Sequence, residues 1–164
     1  MSAQAGDGSL WVVAIPEVEA ANRAGVLVVG IRATGDTAFV RRLMVTPQVI
    51  TRTEADSIRE GLVRVAEGAR DVAMARAIVL KPIHPPLDWL VVGRNGDTWV
   101  GLRPSQGARR WIGIDSTGRD LGSVSLPAAV RLRYTNGTAL YGTEEDEDGI
   151  ESVVRYRVAG SSVR

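Results

Sequence analysis

The side chains best suited to chemistry fall in three short stretches. The run "EEDEDG", Glu144 to Gly149, concentrates carboxylates, with Glu144 and Asp146 as candidate oxygen ligands for a hard cation such as Ca²⁺. It lacks the alternating D-x-D-x-D-G order and the distal bidentate Glu of a calcium loop, so a solvated acidic loop is the better reading, and the metal question stays open. His84, the single histidine, stands in "KPIHPP", where an imidazole could act as base or ligand; no nucleophile motif accompanies it, which favours a loop-anchoring role. Arg109 and Trp111 form the third candidate group. Trp111 either borders a ligand space or packs between neighbouring sheets, and the pairs Arg41-Arg42 and Arg109-Arg110 are too few for a nucleic-acid footprint.

No G-x-S-x-G, H-E-x-x-H, P-loop or G-x-G-x-x-G motif occurs. The residues therefore name no reaction; they read as a non-enzymatic binding surface with no cofactor. Twenty basic residues nearly cancel nineteen acidic ones, so no global field draws the chain to nucleic acid or anionic lipid. Cysteine is absent, which removes disulfides and thiolate sites. The longest apolar runs, such as "GVLVVGI", fall far short of the roughly 18 residues of a membrane helix, and "MSAQAGDGS" has neither part of a signal peptide.

These candidates must be carried by a frame, and the frame is written in turns. Asp7-Gly8, Thr34-Gly35, Asn95-Gly96, Thr117-Gly118 and Asn136-Gly137 punctuate the chain, and Asn-Gly and Asp-Gly favour tight hairpins because the turn needs positive φ. Between them lie apolar segments that read as strands: 10–15, 26–32, 37–45, 88–93, 98–102, 110–115, 119–126, 129–134, 138–143 and 152–158. One region differs. From Thr51 to Ala77 the residues Ile58, Leu62, Val65, Ala69 and Val72 recur at helical spacing, Thr51 and Glu54 form a capping-box pattern, and Pro82, Pro85 and Pro86 end the helix. The small, β-branched stripe is expected to pack on a sheet.

The phrase "DGSLWV" at 7–12 recurs as "NGDTWV" at 95–100, and more loosely as "NGTALYG" at 136–142. Each opens the same order of strand, turn, strand, longer loop, strand, Thr-Gly turn and strand, with Gly160 aligned to Gly35 and Gly118. Repeats of this period point to four-stranded antiparallel blades. The expected organisation is one domain over 1–164: an incomplete unit at 7–47 lacking its first strand, a helical insertion at 48–86, a complete unit at 87–127, and an incomplete unit at 128–160 lacking its last strand. Trp11 and Trp99 occupy equivalent positions and should fill equivalent spaces between sheets. Ser161 and Ser162 lie in a tail expected to be mobile.

The phrasing "LVVGRNGDTWVGLRP", "RRWIGIDSTGRDLGSVSLP" and "VRLRYTNGTALYGTEEDEDGIESVVRYRV" resembles the C-terminal blades of bacterial six-bladed β-propellers of the NHL and TolB-like kind. The resemblance covers roughly 7 to 160 and implies an all-β fold with one helical insertion, a partial propeller, and a fragment of a longer protein. It also implies a periplasmic or secreted location if the chain ends an exported propeller. Open strand edges are expected to promote self-association. Strand order would place the loops 16–25, 103–109 and 143–151, with the insertion, on one face, where His84, Trp111, Arg109, Glu144 and Asp146 would meet a protein or small ligand. The alternative is a remnant of a metal-dependent, lactonase-like propeller hydrolase, for which Asp88 is the only carboxylate on the first strand of the middle unit.

Overall fold

The computed structural model describes residues 1–20 and 23–158, apart from the side chains of 19 and 20. Gly160, Ser161 and Ser162 lie outside the described residues. Sheet I comprises β1 (Ser2–Gln4), β2 (Leu10–Ala20), β3 (Arg23–Arg32) and β4 (Thr37–Val45). Two helices follow, α1 (Arg52–Val65) and α2 (Ala69–Ala77). Sheet II comprises β5 (Leu87–Val92), β6 (Thr98–Leu102), β7 (Ala108–Ile114) and β8 (Asp120–Pro127). Sheet III comprises β9 (Arg131–Thr135), β10 (Ala139–Glu145) and β11 (Glu151–Arg157). Every pairing is antiparallel between sequence neighbours, so each sheet is a meander and the described fold is all-β with a helical insertion.

The first unit has the strand that it was expected to lack. Only six residues precede the Asp7-Gly8 turn, but three of them suffice: Ser2, Ala3 and Gln4 pair with Val13, Val12 and Trp11. The terminal amine of Met1 donates to the Ala14 carbonyl at 2.9 Å, extending the pairing by one residue. Sheet I thus has four strands, sheet II four and sheet III three.

The sheets pack face to face in series. Val12, Ala14, Val26, Val28 and Leu43 of sheet I meet Leu90, Val100 and Ile114 of sheet II. The opposite face of sheet II carries Val91, Trp99, Trp111 and Leu126 onto Leu132 and Leu140 of sheet III. Sheet II is therefore covered on both sides, which is why its residues alternate between two apolar sets rather than between apolar and polar. β5 touches β1 and β2 on one side and β9 on the other, so the first strands of the three sheets lie side by side. Room for the two indoles comes from glycine: a Cβ on Gly101 would stand 2.9 Å from the Trp111 ring, and one on Gly113 would stand 2.9 Å from the Trp99 ring.

Trp11 and Trp99 are not equivalent. Counting from the pair that closes each first hairpin, Trp11 pairs first (with Gln4), whereas Trp99 pairs second (with Val91), after Thr98 with Val92. The turn in sheet I holds six residues, 5–10, and that in sheet II five, 93–97. One extra residue reverses which face every later side chain takes. Trp99 is 3 % exposed between sheets II and III, while Trp11 is 50 % exposed on the outer face of sheet I. Val12 takes the inward place instead. Leu140 also belongs to a first pair, with Thr135, so it points back at sheet II and meets Trp99 rather than copying it.

The helical region is two helices instead of one, broken at Gly68, whose φ of 102° suits glycine. The Thr51–Glu54 capping box forms as the spacing predicts. Neither helix has a buried residue, and the two pack on each other, so the expected docking of the apolar stripe on a sheet does not occur. Lone helices of this length gain little from propensity alone.

Two measurements follow from these contacts. Thr51→Ala removes the α1 cap at about 1 kcal/mol of helix stability; because the helices add nothing to the buried core, helical circular dichroism should fall while the main melting transition stays put. The Glu54 carboxyl is held low by the Thr51 backbone N–H, then by its hydroxyl. A depressed folded-state value means the cap is intact above 4.5 and lost as pH falls through the lower value. By contrast Gly113→Ala drives a methyl into Trp99 and should destabilise the whole domain by about 1–3 kcal/mol in chemical denaturation.

Candidate functional site

The base of the helical insertion builds one wall of a groove beside His84. Val49 and Ile83 form an isolated antiparallel bridge, the His84 N–H donates to the Gln48 carbonyl at 2.9 Å, and the Ile50 N–H donates to the Pro82 carbonyl at 2.9 Å. The two feet of the excursion are thereby zipped together, with Ile83 only 1 % exposed beneath them. The Gln48 side-chain amide then donates to the carbonyls of Arg103 and Pro104 at 3.1 and 3.2 Å, and the Arg103 N–H donates to the Pro86 carbonyl at 2.8 Å. These bonds fasten the insertion to the β6–β7 turn.

That turn is tight. Ser105 and Ala108 exchange backbone hydrogen bonds at 2.8 and 3.0 Å around Gln106 and Gly107, which have φ of 51° and 77°, the signature of a two-residue type I′ hairpin. The expected long loop at 103–109 is therefore mostly strand and turn. The same holds at 16–25, where β2 runs to Ala20 and β3 starts at Arg23, and at 143–151, where β10 and β11 leave only 146–150 between them.

Between the end of β4, the insertion's exit and the β6–β7 hairpin lies an open groove of about 430 Å³. Its polar lining includes Arg103, Arg110, His84, Gln48, Gln106 and Ser105, and its apolar lining includes Met44, Leu102, Pro85 and Pro86. No carboxylate is among the lining residues. Arg110 reaches Ser123 Oγ at 3.3 Å, and the His84 ring, 12 % exposed, has its Nε2 3.7 Å from Glu54 Oε1 behind the groove. Two arginines, Arg103 and Arg110, thus border one space, and guanidinium donors are the chemistry that holds an oxyanion.

Of the five residues singled out by sequence, the groove takes His84 alone. Arg109 is buried rather than presented to a ligand: it donates to Asp88 Oδ2 at 2.6 Å and to the carbonyls of Ala128 and Val130 at 3.2 and 3.1 Å, with its guanidinium 6.0 Å from the Trp111 ring centre. It locks sheet II to the chain leading into sheet III, and it uses the Asp88 carboxylate that a metal site on that strand would need. Trp111 is fully buried in the same core. Asp146 turns its carboxylate onto its own loop, accepting from the backbone N–H groups of Asp148 and Ile150 at 3.1 and 2.8 Å, and Glu144 stands on β10 opposite Ser152. Among the described residues, no group of three or more His, Asp or Glu is placed to hold a metal ion, and no helix is long and apolar enough to cross a membrane.

Arg103, Gln48 and Gln106 escaped the sequence reading. The one local hint was Gln-Gly at 106–107, a weaker relative of the Asn-Gly turn; the staple from Gln48 spans more than fifty residues and leaves no local trace. The buried clamp gives a direct check. Arg109→Ala strands a partly buried carboxylate and two carbonyls, and should lower unfolding free energy by about 2–4 kcal/mol, read by urea titration; Arg110→Ala, on an exposed side chain, should change it by under about 0.5 kcal/mol.

No family model, curated protein or solved structure matches the chain.

Proposed function

We propose that the three sheets are consecutive units of a β-propeller-like scaffold, and that the chain binds a small carboxylate- or phosphate-bearing ligand, without catalysis, in the groove at the foot of the helical insertion. Two features support the scaffold reading: the first strands lie side by side, and the same two kinds of sheet face meet at both sheet interfaces. The ligand reading is carried by one observation. Arg103 and Arg110 line a single groove that no acidic side chain lines, and neither is ion-paired among the described residues, while His84 beside them has Glu54 at 3.7 Å. The Arg103 guanidinium has no ion pair among the described residues, so an incoming anion displaces only water. A metal-dependent hydrolase would need a set of carboxylates or imidazoles that the described residues do not assemble.

The test is calorimetric titration with inorganic phosphate and with citrate at low ionic strength. Binding is expected to weaken about tenfold with Arg103→Ala and again with Arg110→Ala, the usual loss for one charge-assisted contact. Equal affinity in the parent and both variants, or no heat with either anion, refutes the proposal.

A further inference from the structure

Each sheet presents two faces, defined by the hairpin count: a head face carrying the first-pair residue of its second strand, and a tail face carrying the second-pair residue. Val12 and Trp99 are tail residues, and each points at the following sheet. Leu140 is a head residue and points at the preceding sheet, and Thr98 shares its side of sheet II with Val100, which faces sheet I. Both contacts inside the chain are therefore tail to head. One head and one tail remain uncovered: the outer face of sheet I and the outer face of sheet III.

The uncovered head is apolar over its middle, with the Arg42–Glu17 ion pair at one end. Trp11, Ile15 and Val40 are 50 %, 46 % and 57 % exposed there, over a floor that includes Val29 and Ile31. Its strands β2, β3 and β4 run 11, 10 and 9 residues. Strands of that length at the usual spacing make a face of roughly 400 Å² in projection. A depression of about 460 Å³ opens beside Trp11 and Ile31. The uncovered tail carries Tyr134 and Tyr141 with ring centres 5.9 Å apart, Arg155 5.7 Å from the Tyr141 ring, and Val153, 79 % exposed, beside the exposed Arg131 and the Arg133–Glu151 pair. Tyr, Trp and Arg are the residues enriched at the centres of protein interfaces.

We infer that this chain associates with a second copy of itself head to tail, the Trp11 face of sheet I in one copy covering the Tyr141 face of sheet III in the other. The contact repeats the tail-to-head packing already used twice within the chain, so it continues an existing interface. It buries sheet faces, not strand edges, and it is independent of the anion groove. A head-to-tail contact is heterologous, so its two sides can be broken separately.

The absence of cysteine makes the test clean. Val40→Cys and Val153→Cys chains, treated with a short bis-maleimide, are expected to give a two-chain product when mixed and little when treated alone. Product from Val40→Cys alone would mean a head-to-head contact and overturns the inference. In sedimentation, Ile15→Glu and Val153→Glu should each weaken association about tenfold or more with unchanged circular dichroism. A mixture of the two should regain a two-chain species, because one chain keeps a good tail and the other a good head. A concentration-independent monomer mass for the parent chain also overturns it.

Discussion

Two-sided burial of sheet II is the constraint on which the rest of the molecule depends. A sheet with one wet face can be written as apolar alternating with polar; a sheet between two others must be apolar on both faces and must leave room for its bulk. Sheet II meets the first demand with Leu90, Val100 and Ile114 on one side and Val91, Trp99 and Trp111 on the other. It meets the second with Gly101 and Gly113, which sit under the two indoles. Arg109 then fixes the angle of exit by gripping Asp88 and the carbonyls of Ala128 and Val130, so packing and chain direction are set together. Residues that looked like ligand contacts in the sequence belong to this clamp.

The repeat was legible and its register was not. Recurrent Asn-Gly and Asp-Gly turns mark hairpins through a local backbone requirement, so the strands, their antiparallel order and the interrupting helical stretch could be read directly. Which face a side chain takes depends on the number of residues between closing pairs, and a difference of one is invisible in the phrase "DGSLWV" set beside "NGDTWV". That single residue sends Trp11 outward and Trp99 inward. The short strand β1 was likewise overlooked, because three residues carry no periodicity of their own.

The candidate site was legible only in part for a related reason. His84 drew notice as a lone titratable group, and it does lie in the groove. Its neighbours arrive through contacts between distant segments: the Val49–Ile83 bridge closes the insertion, and the Gln48 amide ties it to the β6–β7 turn. The acidic run at 144–149 was conspicuous by composition, yet Asp146 accepts from its own loop's amides and no cluster of ligands forms among the described residues. Conspicuous charge marked a turn, and the groove was assembled from ordinary polar residues.

Sheet I and sheet II face their following neighbours in the same sense, which requires Trp11 and Trp99 to stand on unlike faces. Fluorine NMR of the chain labelled with 5-fluorotryptophan, recorded dilute with a soluble gadolinium relaxation agent and assigned by Trp11→Phe and Trp99→Phe, reads that difference at the residues concerned. The account predicts strong broadening of the Trp11 resonance, with those of Trp99 and Trp111 protected. Equal protection, or equal broadening, of Trp11 and Trp99 would contradict it.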